Sequence, residues 1–142
     1  MAVRSAKAEW KGNLRDGSGT VESETGAVTG SYSFGSRFEE DRGTNPEELI
    51  GAAHAGCFSM ALAGALAKAG HEPESIRTTA RVHLDKSEGG FSITRIRLET
   101  RGRVPGIDAD TFREHAEGAK SGCPVSRALS AVPIEVETEL EN

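Results

Sequence analysis

Two cysteines carry the chemistry this sequence can perform. Cys57 lies in the run Ala53-His54-Ala55-Gly56-Cys57-Phe58, and Cys123 follows 66 positions later in Gly122-Cys123-Pro124. An ionised thiol is a nucleophile, and it can pass to sulfenic acid or disulfide and back. His54 stands three residues before Cys57, so on a helix the two share a face, where an imidazolium or another cation stabilises a thiolate. The competing reading makes Cys57 a small buried hydrophobe in an Ala-rich helix and His54 a polar residue satisfied at a helix contact. Cys123, beside a helix start, meets orphan N–H groups and the positive end of a helix dipole. Dipole reasoning alone makes it the more acidic thiol, unless it serves only as a cap. His54, His71, His83 and His115 form no CxxC, HxxxH or HExxH spacing with each other or the cysteines, and no glycine run makes a phosphate loop. Neither a metal nor a cofactor is expected.

The elements that must position these thiols are legible from capping and periodicity. Asn45 is a good N-cap, Pro46 suits the first helical position, Glu48 can complete a capping box, and Gly70 supplies the stop. Between them runs a helix of about 24 residues, about 36 Å long. From Leu49 to Ala67 it carries no formal charge, which invites a membrane span. Its Ala, Gly and Ser content, with His54 inside, argues instead for a central helix closely covered by neighbours. One short chain barely supplies those neighbours, which points to a dimer.

Ala8-Trp10 and Gly19-Val21 read as strands, and the first 45 residues as short strands with Gly-rich turns. Beyond Pro73, Thr78, Ala80, Val82 and Leu84 alternate with polar residues. Ser87-Glu88-Gly89-Gly90 turns the chain, and a second strand places Ile96, Leu98 and Val104 opposite Arg95, Arg97, Glu99, Arg101 and Arg103. Asp108 can cap a helix to about Lys120, and Cys123-Pro124 opens a short one to about Ser130. A last strand from Val132 to Leu140 alternates with Glu135, Glu137 and Glu139, an acidic face able to pair with the arginines. The class is α+β, antiparallel sheets with a long central helix.

The 142 residues fit one domain, taken as 1–142, with no internal repeat. Seventeen Lys+Arg against 22 Asp+Glu leave a net charge of −5, which argues against nucleic acid or an anionic membrane as partner. No apolar segment follows Met1-Ala2-Val3-Arg4-Ser5, so a cytoplasmic protein is expected, where a permanent structural disulfide is improbable.

The run Thr44-Asn45-Pro46-Glu47-Glu48-Leu49-Ile50-Gly51-Ala52-Ala53-His54-Ala55-Gly56-Cys57-Phe58-Ser59-Met60, with Val104-Pro105-Gly106-Ile107-Asp108 and Gly122-Cys123-Pro124-Val125-Ser126, closely resembles the OsmC/Ohr family. Within it the likeness is to the OsmC branch, and it spans the chain from Trp10 to the final strand. The resemblance implies an intertwined homodimer, with antiparallel sheets wrapped around long central helices and active sites at the subunit interface. It implies a thiol peroxidase that reduces organic hydroperoxides, and hydrogen peroxide less well. In that pattern Cys57 is the peroxidatic cysteine, Cys123 the resolving one, Arg37 the catalytic arginine and Glu47 the glutamate that orients it. The implied reductant is a dithiol or a lipoylated protein.

These roles fit the chemistry. Mid-helix burial raises the Cys57 thiol, so a cation such as Arg37 is needed to ionise it. An apolar lining from Phe58 and Met60 would favour an alkyl hydroperoxide. Glu47 and Cys57 are ten residues apart, about 15 Å along an unbroken helix. Arg37 can hardly bridge both within one subunit, so Glu47 is expected from the partner chain, with the origin of Arg37 left open between the two chains. Two alternatives are a non-catalytic stress protein holding a hydrophobic ligand and a thiol redox sensor.

Overall fold

The computed structural model describes residues 1–142, which divide into two units, Met1–Leu49 and Ile50–Asn142. In the first, strands β1 (Ala6–Lys11), β2 (Ser18–Ser23) and β3 (Thr29–Tyr32) form an antiparallel sheet in that order. Gly19 sits where a Cβ would come within 2.5 Å of the Tyr32 ring and 2.7 Å of the Trp10 ring, so a side chain there would displace both aromatics. A short helix α1 (Phe34–Phe38) follows, which the reading of residues 1–45 as strands and turns did not anticipate. Ser33 and Ser36 create it by a reciprocal capping box, each side chain accepting from the other's backbone N–H. Ser36 Oγ then donates to Thr44 O at 2.8 Å, and Asn45 Nδ2 to Ser36 O at 3.0 Å, which ties α1 to the start of the next helix.

That helix, α2, runs Pro46–Lys68. Asn45 Oδ1 accepts from Glu48 N at 2.8 Å, so the Asn45 half of the expected capping box is formed. At the other end Gly70 takes φ +90°, Gly70 N donates to Ala67 O at 3.0 Å, and His71 N to Leu66 O at 2.8 Å. These are the two bonds of a Schellman stop, which needs an αL residue at the glycine. The buried positions His54, Phe58, Leu62 and Leu66 recur every four residues. Ala53, Gly56, Met60, Gly64 and Ala67 on other faces are exposed. By length and composition alone α2 is apolar enough to cross a membrane. Within one chain it is therefore covered along a single stripe. One chain provides only one layer to pack against it.

The second unit is a helix-on-sheet arrangement. Strands β4 (Ser75–Ser87) and β5 (Gly90–Arg103) form the expected hairpin, closed at Ser87↔Gly90. Helices α3 (Ala109–Gly122) and α4 (Pro124–Ala128) follow, then strand β6 (Ile134–Leu140). Asp108 caps α3, its side chain accepting from Thr111 N at 2.8 Å. β6 pairs with β5 in parallel, from Ile96↔Ile134 to Gly102↔Leu140, which corrects the wholly antiparallel expectation. The helical crossover through α3 and α4 carries the chain back to the starting edge, and a parallel pair needs such a connection. Ile96 and Leu98 of β5 join Phe58, Leu62, Leu66, Phe112 and Ala116 in the core. On the opposite face Arg95, Arg97 and Arg101 meet Glu135, Glu137 and Glu139 at 3.3, 2.6 and 3.2 Å, as the charge rows suggested. Such exposed pairs contribute roughly 0–1 kcal/mol each.

Gly102 shows how closely α3 approaches the sheet. A Cβ there would stand 2.5 Å from two carbons of the fully buried Phe112 ring. Gly102→Ala is expected to destabilise the protein by about 1–3 kcal/mol, read as a lower urea midpoint at unchanged slope.

Candidate active site

The fold brings the two thiols together inside the second unit. Cys57 is half-buried on α2, and Cys123, fully buried, is the residue between α3 and α4. It closes α3 through its N–H to Ala119 O at 2.9 Å and caps α4 with its side chain, whose Sγ accepts from Ser126 N at 3.4 Å. Pro124 at the first helical position fixes that turn. Both thiols are free, and each acts on the other's ionisation. Their electrostatics differ. Burial pushes the Cys57 thiol up, and the backbone at Val125 and the charge of Arg127 offset this only in part. At Cys123 burial also opposes ionisation, but hydrogen bonds from Cys57 and Ser126 outweigh it and bring the thiol below its ordinary value. Within one chain Cys123 is thus the readier thiolate, as its cap position suggested.

In the first unit, Arg37 of α1 and Glu47 of α2 form a bidentate pair, Nε to Oε1 and Nη2 to Oε2, both at 2.9 Å. Glu47 is buried, and the Arg37 side chain is 35% exposed. The hydrogen bonds to Glu47 hold the guanidinium firmly protonated. The pair forms within one chain because the Ser36 and Asn45 contacts fold α1 back onto the helix start. Arg37 also borders an aromatic cavity of about 410 Å³ with Trp10, Leu14, Tyr32, Phe34 and Phe38. Its guanidinium lies 5.2 Å from the Phe38 ring centre, and the Phe34 and Phe38 rings are 4.8 Å apart.

Residues 39–139 match the family model described as OsmC-like protein. The chain belongs to the OsmC-like family. It is 54% identical over 129 residues to the peroxiredoxin OsmC of Escherichia coli (strain K12), covering 90% of each chain. It is 33% identical over 87 residues to the organic hydroperoxide resistance protein of Xanthomonas axonopodis pv. citri, 61% of this chain and 59% of that one. Among solved structures it resembles the organic hydroperoxide resistance protein OhrB of Bacillus subtilis, with a TM-score of 0.72 and 26% identity over 96% of this chain and 98% of that one.

Against this OsmC-like frame, the four residues singled out in the sequence fall into two pairs, Cys57 with Cys123 and Arg37 with Glu47. Phe58 is fully buried in the core, and Met60 is 78% exposed on another side of α2. Besides a cavity of about 520 Å³ that Ala61, Ala65, Ala119 and Gly122 line with Glu114 and His115, an apolar cavity beside a charged group lies around Arg37. Its signal was available, since four of the chain's seven aromatics fall within residues 10–38. Ser126 was also missed as a contact of Cys123, although its place at the third position of a capped turn was readable. No group of three or more His, Cys, Asp or Glu side chains is arranged to hold a metal.

Proposed function

We propose that this chain is a thiol-dependent peroxidase for organic hydroperoxides, working as a homodimer. The observation that carries the reading is the pair of free thiols, 66 positions apart in sequence and near enough in the fold for each to act on the other's ionisation. The Cys57 thiolate attacks the outer oxygen of R–O–O–H. The O–O bond breaks, Cys57 becomes sulfenic acid, and the alkoxide leaves as the alcohol after taking a proton. Cys123 then attacks the sulfenic sulfur, the S–S bond forms, and water departs with the sulfenic oxygen. A dithiol reopens the disulfide in two exchange steps and is itself oxidised.

Cys57 is the less acidic thiol in the isolated chain, so a cation must be brought to it for the first step. Arg37 is that cation, and Glu47 holds its planar fork in one orientation. The guanidinium also donates to the peroxide as charge develops on the leaving oxygen. Arg37 and Glu47 travel as one unit because they pair within a chain, and the partner subunit delivers them. The second copy covers the exposed side of α2 around Met60. The aromatic cavity beside Arg37 receives the alkyl part of the substrate, which favours an organic hydroperoxide over strongly hydrated H₂O₂.

The test is peroxide consumption by the purified protein with dithiothreitol and cumene hydroperoxide. Turnover with a Cys57–Cys123 disulfide as intermediate is the expected result. A protein that merely holds a hydrophobic ligand would leave the peroxide untouched. A redox sensor would form the disulfide once and turn over poorly with dithiothreitol and with a lipoylated reductant alike.

A further inference from the structure

One buried polar pair has no task in this cycle. His54 is fully buried, Ser126 is 2% exposed, and His54 Nε2 lies 2.7 Å from Ser126 Oγ. The contact joins α2 to α4 within the Ile50–Asn142 unit. Ser126 donates its backbone N–H to Cys123 Sγ at 3.4 Å, and its side chain lies near enough to the same sulfur to favour the thiolate. A proton on Nδ1, which has no partner, would be a stranded buried N–H, so the proton of the neutral ring sits on Nε2 and is donated to Ser126 Oγ. That leaves the hydroxyl's one hydrogen for Cys123. Nδ1 is left with a lone pair that meets no partner, a lesser cost than a stranded buried N–H. A second ring proton would strand a charged donor, and burial accordingly holds His54 below its ordinary value. His54 is thus a donor through Nε2, one helical turn from Cys57 but serving the other cysteine.

We propose that His54 and Ser126 form a buried donor relay, His54 Nε2–H to Ser126 Oγ–H to Cys123 Sγ, that makes Cys123 the leaving sulfur when the disulfide is reduced. The inference rests on the disulfide cycle proposed above. Cys57 is the accessible sulfur and Cys123 the buried one, so an incoming dithiol thiolate attacks Cys57. The new bond joins the dithiol to Cys57, the Cys57–Cys123 bond breaks, and its electron pair leaves on Cys123 Sγ. The relay receives that charge with the Ser126 backbone N–H already on the sulfur and the hydroxyl hydrogen free to turn to it, and a lower-pKa thiol leaves faster. The second dithiol sulfur then displaces Cys57, completing a two-electron exchange in which the dithiol becomes a disulfide. His54 and Ser126 are positioning residues, since His54 touches the reacting sulfur only through Ser126.

Two measurements test this. In a Cys57→Ser background, the ultraviolet absorbance of thiolate against pH reads Cys123 alone and needs no peroxide. The groups acting electrically on the thiols are each other and Arg127 of α4, which stays in place throughout. Ser126→Ala, which removes one oxygen, and His54→Leu should each move the Cys123 midpoint up by about 1–2 pH units. His54→Gln, which offers an amide N–H near the same place, should return it towards the parent. With both cysteines present, Ser126→Ala and His54→Leu should slow reduction of the preformed disulfide by dithiothreitol about three- to tenfold. First oxidation of Cys57 should stay unchanged. An unmoved midpoint in Ser126→Ala, or a His54→Gln protein no better than His54→Leu, overturns the relay while the peroxidase reading stands. A wild type that forms no disulfide with hydroperoxide overturns the peroxidase reading and the leaving role with it.

Discussion

Cys57→Ser is expected to abolish hydroperoxide consumption, by roughly a thousandfold or more, because no other group in the proposed site can take the peroxide oxygen. Cys123→Ser should behave differently. One equivalent of hydroperoxide is still consumed quickly, sulfenic acid persists at Cys57, and steady turnover falls because the disulfide cannot close. The contrast between a lost first step and a lost second step is a rapid-mixing measurement on the two variants. If both variants lost the first step equally, the division of labour between the cysteines would be wrong. Neither substitution should unfold the protein. Serine keeps the side-chain volume close, and at position 123 it remains a good N-cap.

Arg37 carries the second large effect. Arg37→Ala should cost about 10²–10³ in the rate of Cys57 oxidation, the range for losing one strong donor to developing charge. It also strands the buried Glu47 carboxylate, at a further cost of about 1–3 kcal/mol in stability. Arg37→Lys keeps the charge but not the two-pronged bond to Glu47, so activity should recover only in part. The sign of the pH effect follows from burial, which raises the Cys57 thiol. The wild-type rate should reach its plateau at lower pH than that of Arg37→Ala, whose rate keeps climbing as the unassisted thiol ionises. Mixing then locates the arginine. Refolded mixtures of inactive Arg37→Ala and inactive Cys57→Ser should regain about a quarter of wild-type activity, because half the dimers are mixed and each holds one intact composite site. An arginine acting on the cysteine of its own chain would give no recovery.

Much of the fold was legible because its punctuation is local. Asn45, Gly70 and Asp108 end or start helices through bonds to residues at most five positions away, and the structure forms those bonds. The β4–β5 hairpin was legible for the same reason, since alternation and a Gly-Gly turn set its register. The parallel pairing of β6 was not, because alternation fixes a strand's faces and leaves its direction open. α1 was hidden because its reciprocal Ser33–Ser36 box uses a serine where the usual pattern has Glu or Gln. Of the site, each cysteine's local setting could be read, but their meeting depends on α2, α3 and α4 packing over β5, and no spacing in the sequence encodes it. The bond from His54 to Ser126 spans 72 positions and is invisible for that reason. A hydrophobe on a helix fits a core stripe and a cavity wall equally, and at Phe58 the four-residue recurrence through His54 and Leu62 places it in the core.

The central claim is that Cys57, the less acidic thiol in the isolated chain, is the one that meets the peroxide. The most direct measurement treats Cys57→Ser and Cys123→Ser with one equivalent of cumene hydroperoxide and maps trapped sulfenic acid by peptide mass spectrometry. The account predicts sulfenic acid at Cys57 in Cys123→Ser and an unmodified Cys123 in Cys57→Ser. Rapid sulfenic acid at Cys123, with Cys57 left reduced in the other variant, would contradict it.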